Sequence, residues 1–365
     1  MGDRVKFGMA EAVVMLTMSA MARIFLPFPR SLVDVSGPAA WLSGVAGLAF
    51  ALLQAAIFYY ALKPHPQKDI LDVTREALGK FAGTAANLIY AFYFLMVVAS
   101  FVRNFSETLL VSALPRTPIS VVSISYILMA MFGSYIGLEA MARAARITYP
   151  FVVGGIGILL LGLYPRWDYT NLFPILGNGP VEVFITGGFF SGMVSEILLA
   201  AVIVRSFHNW GDFGLIVSRA MLMGFGYLTL LLAVYILTVS YNAAQELTLP
   251  FYSLSRLIYL GRFFQRVEAI FIVIWGFIAI LKISLTLFAS AYVLARTFRL
   301  PDYRPLTWPL AVIVFSVGFI PPDLPSSLTA DKYLRTWAVL PTVIIPIAVL
   351  VAARFRMRGR PGEGG

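Results

Sequence analysis

The 365-residue chain contains no cysteine, which excludes disulfides, thiolate metal sites and a cysteine nucleophile. Histidine is almost as scarce: His65 and His208 both fall in the polar stretches between apolar runs, which argues against a histidine-built metal site or proton relay. Charged residues make up only 13% of the chain, against about 25% in soluble domains. The chain is 59% hydrophobic, with a mean hydropathy of +0.84. A chain this apolar cannot bury its surface in one water-soluble core, so its solvent is lipid. The formal charge of +10 does not point to nucleic acid, because Lys and Arg sit between apolar runs rather than on one polar face. No P-loop, HExxH, GxSxG or dinucleotide fingerprint occurs. Neither an enzyme nor a cofactor is expected. The first apolar stretch lacks a small-residue cleavage pattern and continues into a span, so no cleavable signal peptide is expected.

What is present is a series of apolar runs of membrane-crossing length, at about 1.5 Å per residue across about 30 Å of hydrocarbon. They lie near 8–26, 39–62, 82–113, 118–137, 144–164, 181–205, 214–240, 267–297, 306–321 and 336–355. The expectation is an all-α integral membrane protein of about ten transmembrane helices, forming one transporter-like domain over 1–355. Seventeen Lys and Arg flank these runs on the side of the N-terminus and eight on the other, so both termini are expected in the cytoplasm. Residues 67–80 read as an amphipathic helix on the cytoplasmic surface. Residues 246–265 read as an external helix over the bundle, and 356–365 as a basic, disordered cytoplasmic tail.

Ten spans divide five plus five, as about 8–164 and 181–355. In inverted-repeat transporters the ligand sits where the first helix of each repeat is interrupted. Here those are spans 1 and 6. Span 1 carries SAMARIFLPFPR, where Arg23 precedes Pro27 and Pro29, and proline interrupts a helix by removing a donor. Span 6 carries GGFFSGMVSEI, with Gly187, Gly188, Gly192 and the carboxylate of Glu196. Glycine eases unwinding, although glycine-rich runs also serve close helix packing.

Ionisable groups within a span usually pair or line a wet cavity. Lys282 lies about midway along span 8, with Glu196 as its candidate partner. Arg103 and Glu107 are four apart in span 3 and share one helical face. Arg23 is either an anchor for a ligand carboxylate or the partner of Glu196 or Glu107.

The strings RIFLPFPR, GPAAWLSG, FVRNFSETLLVSALPRTPISV, EAMARAARITYPF, NLFPILGNG and LPFYSLSRLIYLGRFFQRVEAIFIVIWGFIAILKIS resemble the B subunit of bacterial spore germinant receptors, from about residue 7 to 355. That resemblance implies a fold of the amino acid–polyamine–organocation superfamily, of LeuT type. It implies sensing of nutrient germinants, amino acids or sugars, in the inner membrane of a dormant spore, with an A subunit and a lipoprotein C subunit. It places the pocket at Ala22, Arg23, Ile24 and Phe25, at Asn104, at Gly188, Gly192 and Glu196, and at Trp275 and Lys282. One departure is the run MVSEI, where Ser195 stands before Glu196 and many relatives carry proline and glycine.

Three functions follow as candidates: a receptor subunit binding a small nutrient at the membrane midplane, a proton-coupled amino acid transporter, and a non-binding scaffold or pore. In the first, Lys282, Glu196, Arg103 and Glu107 form the charge network of the pocket.

Overall fold

The computed structural model describes residues 7–258 and 267–358. Among these, secondary structure is helical apart from a single bridge between Phe7 and Phe207. Helix α1 (Met9–Met21) passes through a 3-10 turn, Ala22–Phe25, into α2 (Phe28–Ser36) and α3 (Ala40–Leu62). A short α4 (Ile70–Leu78) precedes the long α5 (Lys80–Ser112), followed by α6 (Ile119–Ile136) and α7 (Leu138–Leu163). A π-helical turn, Val181–Gly187, leads into α8 (Gly188–Gly192), and α9 (Ser195–Ile203) resumes two residues later. Then come α10 (Phe213–Thr238), α11 (Tyr241–Glu246), α12 (Pro250–Ser255), α13 (Val267–Phe298) and α14 (Thr307–Gly318). The chain ends on α15 (Leu324–Trp337), a π turn at Leu340–Ile344, and α16 (Ile345–Arg358).

Eight helical stretches of the described residues are long and apolar enough to cross a membrane. The protein is therefore an integral membrane protein. The first and ninth expected spans correspond to α1 and α14, of 13 and 12 residues. At about 1.5 Å per residue each is shorter than the hydrocarbon, which is why a length criterion passes them over.

The last span starts earlier than hydropathy suggests. Residues 324–337 carry Asp331, Lys332 and Arg335 and read as an outer loop, yet they form α15. Asp323 caps it, its Oδ1 accepting the Ser326 N–H at 2.9 Å, Pro325 fits the first turn, and Asp331 pairs with Arg335 one turn on at 2.8 Å. A charged sequence whose charges pair internally can extend a span.

The amphipathic segment at 67–80 is α4, capped by Asp69, whose Oδ1 accepts the Asp72 N–H at 3.0 Å. It buries Ile70, Leu71, Val73 and Ala77 and packs against α5, α3 and α16. Asp69 and Asp72 tie it to Arg205 and Arg296 at the ends of α9 and α13. Within 246–265 the described residues hold α12; residues 259–265 and the tail beyond 358 lie outside the described residues. Around the centre, α5 and α13 pack together, α3 lies along α8 and α10, and α1 sits between α10 and α13.

Candidate functional site

Two helices stop in the middle of the bundle. After α1 the 3-10 turn ends at Leu26, which is extended (φ −91°, ψ −179°) as the residue before a proline prefers. After α8, Met193 (ψ 101°) and Val194 (φ −126°, ψ 138°) are extended before α9 begins. Each stop leaves backbone N–H and C=O groups without helical partners.

Arg23 joins the two stops. Its Nη1 donates to the Ser191 carbonyl at 2.6 Å, one of the oxygens freed at the end of α8. Its guanidinium carbon lies 4.8 Å from the Phe28 ring centre and 5.1 Å from that of Phe225. Its Nε is buried with no hydrogen-bond partner among the described residues.

Glu196, in the first turn of α9, and Lys282, midway along α13, form a buried ion pair: Lys282 Nζ donates to Glu196 Oε1 at 2.5 Å and to Ser195 Oγ at 2.9 Å. Ser19 Oγ, from α1, donates to the same carboxylate oxygen at 2.8 Å. The α9 N-terminus is itself favourable for a carboxylate. The Phe101 ring covers the ammonium, 4.8 Å from its centre. Ser195, at the departure noted in the sequence, thus holds Lys282.

Arg23, Glu196 and Lys282 line one cavity of about 40 Å³ with Ser19, Tyr93, Phe101, Asp331 and Arg335. It has room for roughly three water molecules, so in this conformation it is contracted. Three cations and two carboxylates line it, a surplus of one positive charge.

Towards α15 the cavity is closed by a layer of side chains. Arg335 pairs with Asp331 at 2.8 Å and lies over the rings of Phe28 and Phe190, at 4.6 and 5.2 Å. Those rings stack at 5.5 Å. Asp331 also accepts from Ser100 Oγ at 3.1 Å. Asp331 and Arg335 line both this cavity and a second, about 10 Å³ in volume, on the far side of the layer.

The other residues singled out from sequence lie elsewhere. Ala22, Ile24 and Phe25 are buried in the 3-10 turn but do not line the cavity, which takes Arg23 from this turn and Ser19 and Ala20 from α1. Asn104 lines the small outer cavity and accepts from Ser327 Oγ at 2.9 Å. Gly188 and Gly192 face α3: a Cβ at Gly188 would lie 2.8 Å from the Ala46 side chain, and one at Gly192 would lie 2.9 Å from the Gly47 carbonyl oxygen. Their place is one of close helix packing. Trp275 is buried against Phe105, ring centres 5.5 Å apart. Arg103 pairs with Glu107 at 2.7 Å, away from the central cavity.

Ser19, Tyr93, Phe101, Asp331 and Arg335 carried no clear sequence signal, with one exception. Asp331 and Arg335 are an i,i+4 charge pair directly ahead of an apolar run, which is a helix signature.

The family described as "Spore germination protein" matches residues 6–326. Spore germination protein YndE of Bacillus subtilis (strain 168) is 22% identical over 363 residues, covering 97% of this chain and 98% of that protein. Spore germination protein KB of the same organism is 23% identical over 325 residues, covering 86% and 85%. A crystal structure of MhsT in complex with L-phenylalanine superposes with a TM-score of 0.64 at 14% identity, covering 97% of this chain and 99% of that one. Mhp1, a nucleobase-cation-symport-1 family transporter in a closed conformation with bromovinylhydantoin bound, gives 0.66 at 12% identity, covering 92% and 76%. The fold is of LeuT type.

Proposed function

The chain belongs to the spore germination protein family, and from that premise we propose that it is the B subunit of a nutrient germinant receptor. It binds a small metabolite, an amino acid or a sugar, in the central cavity near the membrane midplane, and it signals with A and C subunits to trigger germination. It sits in the spore inner membrane or a bacterial cell membrane, with both termini cytoplasmic, and its halves, about 8–164 and 181–355, move against each other.

The observation that carries this reading is the cavity between two interrupted helices, where Arg23 presents a buried Nε with a free hydrogen-bonding position. With three cations against two carboxylates lining it, the cavity favours a ligand bearing a carboxylate, bound by Arg23. Glu196 and Lys282 neutralise each other inside the pocket. A fixed ammonium there replaces a coupling ion and suits sensing. Because about 40 Å³ is far below the roughly 300 Å³ of ordinary ligand sites, binding requires the Arg335–Asp331 layer to open. The ligand then shifts the balance between closed and open conformers.

A second reading is coupled transport, favoured by the likeness to two transporter structures. Glu196 would be the proton carrier, and its pair with Lys282 would have to break in each cycle. Net flux of the ligand into proteoliposomes separates the two.

The test of binding is a thermal-unfolding screen of the detergent-purified protein against single amino acids, sugars and nucleosides. A ligand at a hundredfold excess over Kd stabilises the folded state by about 2.7 kcal/mol. Stabilisation by one nutrient, weakened in Arg23→Ala, is the expected result. No stabilisation by any of them would move the weight to a scaffold or pore-forming subunit.

A further inference from the structure

An apolar groove lies beside the central site and belongs to none of the roles above. It is a lateral groove of about 470 Å³ between α5 and α15, closed at one end by the end of α14. On α5 its wall runs from Ile89 to Arg103, and on α15 it runs past Ala330 and Leu334 to Trp337. These positions fall three and four residues apart, so each helix gives one continuous face. Phe92 and Trp337, 61% and 68% exposed, stand at its mouth, so the groove opens sideways into the bilayer.

We propose that this groove binds one acyl chain of a membrane phospholipid. Three observations favour that occupant. The first is length: from Ile89 to Arg103 α5 rises about 21 Å, more than one leaflet's share of a hydrocarbon layer about 30 Å thick. The second is depth. With α5 centred on that layer, Arg103 lies about 10 Å from the midplane, within reach of an ester carbonyl, and Ile89 lies about as far on the other side. Arg103 is 4% exposed and is held by Glu107 at 2.7 Å and the Pro322 carbonyl at 3.2 Å. The Arg103 side chain lines the groove, and its Nε is buried with no partner among the described residues. The third is volume, since a protein helix about 10 Å across needs well over this space along the same length, whereas a single chain of methylenes does not.

Tyr93 and Leu334 line both this groove and the central cavity. An acyl chain therefore presses on two walls of the central cavity, and occupancy of the groove adjusts the space open to a polar ligand. The binding site stands independently of the proposed receptor role.

The test uses the full chain in phosphatidylcholine vesicles containing a few per cent phosphatidylcholine with a mid-chain diazirine. After irradiation, adducts are mapped by peptide mass spectrometry. Adducts on Met96 and Leu334 are expected at several times the density on Phe132, an exposed residue of α6. Ala330→Phe, which fills the groove, should bring Met96 down to the level of Phe132. Equal density on Met96 and Phe132 in the unsubstituted protein would overturn the proposal without recourse to any variant. So would undiminished Met96 labelling in a folded Ala330→Phe protein. The link to the central cavity is read from the rate at which a thiosulfonate reagent labels Val97→Cys, a position lining that cavity. Ala330→Phe should change this rate at least threefold, and an unchanged rate would remove the link.

Discussion

Lys282 Nζ lies 2.5 Å from Glu196 Oε1, joining the middle of an unbroken helix to the first turn after an interrupted one. Both side chains are almost wholly buried. Each charge is tolerable there only because of the other, with Ser19 and Ser195 completing the shell. Removing one partner strands the other charge, so Lys282→Met and Glu196→Gln should each lower unfolding free energy by about 3–5 kcal/mol. The double variant should recover most of that loss, as measured by thermal unfolding in detergent. Additive losses would show that the pair does not act as a unit.

The Arg335–Asp331 layer between the central and outer cavities predicts a gate. The chain has no cysteine, so a single introduced thiol reports accessibility without background. Val97→Cys should react slowly with a membrane-impermeant thiosulfonate applied from the α15 side. Adding Arg335→Ala, which removes the pair and the cover over Phe28 and Phe190, should raise the rate at least tenfold. An unaltered rate would place the entry path elsewhere.

Close approach of α8 to α3 depends on Gly47 of α3 and on Gly188 and Gly192 of α8. A Cβ at Gly47 would lie 2.1 Å from Ser191 Oγ, and one at Gly192 2.5 Å from Phe50 Cβ. Overpacking of this kind costs about 1–3 kcal/mol. Gly47→Ala and Gly192→Ala should each lower the melting temperature. Their combination should cost less than the sum, because both push the same two helices apart.

Asp69, at the start of α4 and outside the membrane spans, predicts a pH dependence. Burial, with Asp72 beside it, pushes its carboxyl from 3.8 up to about 6, against the opposing pull of Arg296 and Arg205. The folded state therefore holds the proton more tightly than the unfolded chain. Asp69's contribution is fully present below about pH 4 and is lost as pH rises through about 6, a swing on the order of 3 kcal/mol. Thermal stability should rise between pH 7 and pH 5 in the native protein. The rise should flatten in Asp69→Asn, which keeps the helix cap. An identical slope in both proteins would assign the dependence to another group.

Hydropathy made the membrane character and the positions of most spans legible, because lipid demands long apolar helices. Lys282 and Glu196 stood out as candidate partners because a charge in mid-span is costly enough to require an explanation. Asp331 and Arg335 did not, because a polar turn of helix and a polar loop have the same composition and only an i,i+4 spacing separates them. Tyr93 and Phe101 were hidden for the opposite reason: an aromatic residue in an apolar helix looks alike whether it faces lipid, core or cavity. Gly188 and Gly192 illustrate a real ambiguity, since the residue that eases unwinding also permits close packing, and here both face α3.

The most direct test of the central cavity as the ligand site is protection of Val97→Cys from thiosulfonate labelling by the nutrient that stabilises the protein in the thermal screen. Saturating nutrient should slow labelling at Val97→Cys at least fivefold while leaving Phe132→Cys, on the exposed face of α6, unchanged, and Arg23→Ala should abolish the protection. Stabilisation by the nutrient with no protection at Val97 would contradict it and place the ligand outside the cavity between the interrupted helices.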